Sequence, residues 1–222
     1  MRSSLFLLLA CCISVLQAQS FESISLQTQT KSVWVELASL NRLQIQHSTE
    51  SDLIRLRFNN HESYPEPVMI DKDDLIEIKV LHDAKTLPQA QQNKYRAGQP
   101  LYPNYILEVP LNCQLKISYK QGNTQAKNFT GDLELYLDHG TVNLVQLSGS
   151  GSIQSYGGVI NCLLANAKVA IESKEGQVET DIKHKSLAVG KQFIRGHYGD
   201  PRNDLRVTTI LGKVTLSRPE DK

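Results

Sequence analysis

The sequence predicts an all-β chain organised as a β-solenoid, built from nine-residue strand-corner units and capped by a less regular N-terminal β segment. Three observations carry that prediction. Apolar residues recur every nine positions between Cys113 and Leu216, glycines stand two residues ahead of them, and the phase of both holds throughout.

The leading apolar column runs through Leu115, Leu133, Val142, Ile160, Val169, Val178, Leu187, Leu205 and Val214, with Thr124, Gly151 and Gly196 at the remaining nine-residue steps. A second column follows two residues later, among it Ile117, Leu135, Leu144, Ile153, Cys162, Ile171, Val207 and Leu216. Residues i and i+2 of a strand share a face, so each pair marks a short strand with one buried side. Gly122, Gly131, Gly140, Gly149, Gly158, Gly176 and Gly212 precede these pairs, against a usage of roughly 7%. Glycine there accommodates a tight corner.

Such units suit an antiparallel meander or a solenoid. A meander tolerates loops of differing length, whereas coils stacked at about 4.8 Å must keep register. The phase survives the polar stretch from Gly196 to Asp204, which favours the solenoid. Its simplest form has two units and eighteen residues per coil, six coils in chain order, with Asn143 beside Asn161.

The rest of the chain divides around this repeat. Residues 1–18 read as a secretory signal: Arg2, the apolar run Leu5 to Leu16, then Ala18 as a cleavage point. Leu8-Leu9-Ala10-Cys11 offers a lipid-anchored alternative. Residues 19–110 form the N-terminal β segment, in which Gln19 to Lys31 reads as polar and frayed. Alternating strands follow at Val33–Leu37, Leu43–Ile45, Ile54–Phe58, Val68–Ile70 and Ile76–Val80. A long loop, 82–104, interrupts them and carries Tyr95, Arg96 and Tyr102, with Tyr105 just beyond. Tyr and Arg are favoured at contact hot spots, so these four are the candidate partner-binding residues, and a linker whose tyrosines lie back on the sheet is the alternative. The repeats occupy 111–217, and 218–222 is a polar tail.

The entry Leu107-Glu108-Val109-Pro110, the signal segment, the early strands and the units Gly140-Thr141-Val142, Gly176-Gln177-Val178 and Gly212-Lys213-Val214 together resemble bacterial adhesin-like envelope proteins with an auto-transporter adhesin head domain, of the Bacteroidetes type. The resemblance implies a β-solenoid in the cell envelope and brings no catalytic residues to carry over. Lys185, Ile194 and Asn203, where the pattern has glycine, depart from it.

Charge and chemistry narrow the function. With 24 basic and 23 acidic residues the chain has no excess that would draw nucleic acid. Four cysteines become two after cleavage, Cys113 and Cys162. At 49 residues apart in eighteen-residue coils they would lie about 13 Å apart, beyond the roughly 7 Å Cα limit of a disulfide, so free thiols are expected. His139 and His184 fall on opposite edges of a coil, which argues against a shared metal. The calcium-binding nonapeptide also repeats every nine residues, but its aspartate column is missing here. Glu134, Glu172 and Glu179 face outward as scattered charges, and the polar corner His197 to Asp204 reads as a solvated loop. The expectation is therefore a non-enzyme without cofactor, periplasmic or at the cell surface, that is structural or binds a protein or glycan. A glycan-cleaving enzyme using Asp200 or Asp204, and a periplasmic accessory to a signalling partner, are the alternatives.

Overall fold

The computed structural model describes residues 21–59, 65–80, 102–199 and 202–219. The stretch read as a secretory signal and most of the segment read as the 82–104 loop lie outside them. The described residues are all-β: fifteen strands in one hydrogen-bonded network of mixed direction.

Each of the five strands expected before the loop is present: β2 (Ser32–Glu36), β3 (Arg42–His47), β4 (Leu53–Phe58), β5 (Pro67–Lys72) and β6 (Leu75–Val80). One strand was not anticipated. β1 (Glu22–Gln27) pairs antiparallel with β4, setting Ile24 opposite Leu56 and Leu26 opposite Ile54. The stretch read as frayed is held because these two apolar residues reach the core.

After β7 (Asn104–Val109), the chain enters β8 (Cys113–Ser155), a single strand carried round corners at Gly122, Gly131, Gly140 and Gly149. The glycines meet a steric demand. Gly140 and Gly149 have φ of +147° and +129°, and a Cβ on either would overlap the carbonyl oxygen of the glycine eighteen residues earlier, Gly122 and Gly131 respectively. Backbone packs directly on backbone at these corners, and no other residue leaves the room.

The eighteen-residue step recurs in the pairing. β8 pairs parallel with β9 (Val159–Leu163), Asn143 opposite Asn161, and the two amides are joined, Nδ2 of Asn161 donating to Oδ1 of Asn143 at 2.9 Å. Alternate units thus build two faces. The first carries Val33, Leu115, Leu133, Gly151, Leu205 and Val169 inward, and the second carries Leu43, Thr124, Val142, Ile160, Val214 and Val178. Between the faces lies a core of Leu, Ile and Val, nearly all fully buried, where each such side chain contributes about 1.5–3 kcal/mol.

The order of the strands within each face is not the chain order, which corrects the simplest expectation. β14 (Asp204–Thr209) lies between β8 and β10 (Ala167–Ser173), parallel to both. β15 (Lys213–Ser217) lies likewise between β9 and β11 (Gln177–Thr180). The offsets are 54 and 36 residues, both multiples of eighteen, so the repeat phase fixes face and register without choosing the neighbour. The same happens at the other end, where β6 enters between β2 and β5, and β7 between β3 and β4.

A second correction concerns Leu187 and Gly196, expected one unit apart on opposite faces. They are opposite each other in an antiparallel hairpin of β12 (Leu187–Val189) and β13 (Phe193–Tyr198), and β13 pairs antiparallel with β10. A tight turn reverses the chain, the amide of Gly190 donating to the carbonyl of Phe193 at 2.9 Å. Ile194 is therefore no corner; it is buried opposite Ile171. Asn203 keeps its corner with its side chain, accepting from the amide of Gly149 at 3.2 Å and donating to Asn166.

Three corners use hydroxyls. Ser155, Thr209 and Ser173 stack in register. Thr209 Oγ1 accepts from Ser155 Oγ at 2.9 Å and from the amide of Gly212 at 3.0 Å, and Ser173 Oγ accepts from the amide of Gly176 at 3.0 Å while donating to the carbonyl of Gly212.

Candidate binding site

Strand alternation puts every second residue of the first face outward. Across β2, the successive passes of β8, and β14, the register aligns Trp34, Lys116, Glu134, Ser152 and Arg206 in one row. A second row holds Ser32, Gln114, Asp132, Ser150 and Asp204, and the two rows line an open trough of about 770 Å³ that reaches Leu75 on β6. The small Ser150 and Ser152 form its floor between longer side chains.

Trp34 anchors one end. The ammonium groups of Lys79 and Lys116 lie 5.0 Å and 5.8 Å from its ring centre, and Lys116 also stands 5.2 Å from the ring of Tyr136. Lys116 is thus held between two aromatic faces by cation–π attraction. The indole Nε1 of Trp34 is buried with no hydrogen-bond partner among the described residues, a donor whose desolvation is uncompensated. Beside it in register, Glu77 is buried on this outer surface and paired with Lys72 at 2.7 Å and Lys79 at 3.3 Å. The hydrogen bond from Lys72, supported by Lys79, holds its carboxyl below the ordinary range against the opposing effect of burial. Tyr136 donates to Glu134 at 3.0 Å; burial and this acidic neighbour push its hydroxyl up, so it stays protonated.

The second face is different in kind. Gln44, Gln46, Gln125, Asn143 and Asn161 point outward and bond to one another or to Arg42 and Glu108. Its amides satisfy each other.

The residues singled out from sequence are dispersed. Tyr95 and Arg96 lie outside the described residues. Tyr102 is partly exposed just before β7. Tyr105 points inward from β7 between Leu43 and Phe58 and is only 4% exposed, so it packs in the core and belongs to no exposed loop. Cys113 and Cys162 are free and buried, and burial pushes both thiols up to about 12. Glu172 pairs with Arg195 at 3.0 Å and Glu179 with Lys213 at 2.9 Å, with Glu134 bonded to Tyr136; they do not converge. Asp200 lies outside the described residues, and Asp204 sits in the trough, 3.9 Å from both Lys168 and Arg206. His184 approaches His197, ring centres 6.4 Å apart, and among the described residues no three ligating side chains cluster.

Sequence reasoning missed the trough. Reading every second unit would have aligned Lys116, Glu134 and Ser152, but nothing in the spacing links Trp34 to Lys116, 82 residues on.

The chain shares its fold with a candidate cell-adhesion protein from Clostridium sporogenes. The two align with a TM-score of 0.58 over 90% of this chain and 99% of that one, at 15% identity. Candidate adhesins from Bacteroides fragilis and Parabacteroides merdae match at TM-scores of 0.29, with 8% and 12% identity over 90% and 91% of this chain and 98% of each of theirs, too low to argue from. No protein-family profile and no curated protein matches the chain. No helix among the described residues is long and apolar enough to cross a membrane.

Proposed function

We propose that the chain is an extracytoplasmic, adhesin-like binding protein without catalytic activity, and that residues 111–217 form a β-solenoid whose outer first face binds a glycan. Parallel pairing at multiples of eighteen residues supports the solenoid. The observation that carries the binding reading is the trough at Trp34: an aromatic ring beside closely spaced hydroxyls, carboxylates and cations, with the Tyr136 ring on the other side of Lys116. Strands hold these groups at about 4.8 Å steps, on a rigid surface suited to a polyhydroxylated chain. Among the trough residues two cations, Lys116 and Arg206, face three anions, Asp132, Glu134 and Asp204, so the lining is close to neutral and favours an uncharged glycan over a polyanion. The stretch 1–18, read as an export signal, supports a location in the periplasm or at the cell surface, and the segment with Tyr95, Arg96 and Tyr102 offers a second contact.

Trp34 is the only tryptophan in the chain, so its fluorescence reports on the site directly. Titration with neutral oligosaccharides from envelope and host polymers should shift and saturate this emission, and Tyr136→Ala should weaken binding at least tenfold while the far-UV spectrum is kept. No shift and no heat of binding with any member of the panel would overturn the reading.

A further inference from the structure

The position of β14 and β15 has a consequence for how copies of this chain meet. These two strands form one coil and are the last two strands of the described residues. The coil fills a slot whose walls are formed earlier in the chain. One wall is the end of β8 with β9, and the other is β10 with β11. Leu205, Val207, Val214 and Leu216 are completely buried in it. The inward position on one wall is Gly151, and a Cβ there would come within 2.9 Å of Leu147 Cδ2 and 3.2 Å of Leu205 Cδ1, so Leu205 shares with Leu147 the space that this glycine leaves.

Departure of the coil would leave the slot open along both walls, with Ser155 facing Ser173 across the place of Thr209. The departed coil then carries two strands with both edges unpaired and an apolar side exposed, a costly state that pairing with another slot relieves.

We propose that β14 and β15 form an exchangeable coil, and that the slot between β8–β9 and β10–β11 accepts the same coil from a second copy of the chain. The occupant is defined by the interface seen within one molecule, since an identical coil in trans makes identical contacts, and such exchange is a low-cost route to dimers. Only the link between Tyr198 and Asp204 has to change course.

Thr215 lies opposite Asn161 across the β15–β9 pair, whereas Asn143 is one strand further away. The test mixes full-length Asn161→Cys with full-length Thr215→Cys at high concentration, cycles the mixture through mild urea and oxidises it. Exchange predicts a disulfide-linked dimer in at least tenfold excess over the mixture of Asn143→Cys with Thr215→Cys, while the double variant Asn161→Cys/Thr215→Cys bridges within one chain. Three results would each overturn the proposal: no dimer, equal dimer from the two mixtures, which is collision at the surface, or a double variant that fails to bridge.

Discussion

Two neighbouring glycines separate the role of a corner from that of a flexible residue. Gly158 has φ of +110°, and a Cβ there would overlap the carbonyl oxygen of Gly140 in the adjacent strand β8. Gly157 does not have that backbone conformation, and a Cβ there would meet the ring of His139, Nδ1 at 3.0 Å. The His139 side chain is exposed and can swing away; the Gly140 carbonyl cannot, because the ladders hold it. In Gly158→Ala the strained backbone costs about 1–3 kcal/mol, the stiffer unfolded chain returns about 0.4–1 kcal/mol, and the overlap forces two coils apart. The net loss should be about 2–4 kcal/mol, or about 4–16 °C in Tm for a chain of this size. In Gly157→Ala the same gain in the unfolded chain sets against a shifted histidine ring, leaving a change within about 1 kcal/mol. Urea unfolding followed by far-UV circular dichroism compares the two. Equal losses, or a larger loss in Gly157→Ala, would refute the claim that backbone contact between coils dictates the glycine spacing.

The hydroxyl corner predicts that Thr209→Val, equal in shape, loses about 1–3 kcal/mol because the buried amide of Gly212 loses its acceptor, while Thr209→Ser retains most of the stability; equal urea midpoints for the two variants would contradict it. Both thiols should resist maleimide at pH 8 in the folded chain and react readily once it is unfolded, since burial keeps them protonated up to about 12; rapid labelling of the native protein would count against their placement. Above about pH 9 unfolded thiols ionise while the folded ones keep their protons, so stability should fall by about 1.4 kcal/mol per thiol per pH unit until the folded thiols titrate. Glu77 has its carboxyl lowered from 4.5 by Lys72 and Lys79, so its contribution is present above the unfolded value and is lost as pH falls through the folded one. Glu77→Gln should flatten the acid limb of stability between about pH 5 and 3, and an unchanged limb would show that the pair with Lys72 is not formed in solution.

The fold was legible to the extent that its physics is local. Alternation in β2 to β6 and the nine-residue units from Cys113 to Ile160 record which side of the backbone is buried and where the chain turns, and both leave marks within a few residues. Neighbour choice leaves no such mark. Val214 fits beside Ile160, beside Val178, or at the end of a stack equally well by phase, and Gly151, whose space Leu147 and Leu205 share, marks a gap in its column without naming the strand that adjoins it. The hairpin at Leu187 to Tyr198 was hidden for a related reason. Its strands kept the nine-residue spacing by coincidence of turn length, so the departures at Lys185 and Ile194 were the true evidence.

The candidate site was less legible, because outward residues are not constrained by packing and their meaning depends on which strands adjoin. Trp34 alone reads as one aromatic in an alternating strand; Lys116 and Glu134 read as solvated charges. Only the register of β2 against β8 turns them into a row, with Tyr136 two strands away and Lys116 between the rings. The same logic separates the two faces. On the second face Gln44 bonds to Gln46, Gln46 to Glu108 and Asn161 to Asn143, so a ligand there would have to displace bonds already made. On the first face Ser32 bonds to Gln114 and Ser150 to Asp132 in the same way, but the ring of Trp34 lines an open trough and the ammonium of Lys116 rests on two aromatic rings. An aromatic ring with polar groups held in strand register along an open trough distinguishes a place that can gain by stacking on a ligand from one that is merely polar, and on this chain that place is at Trp34.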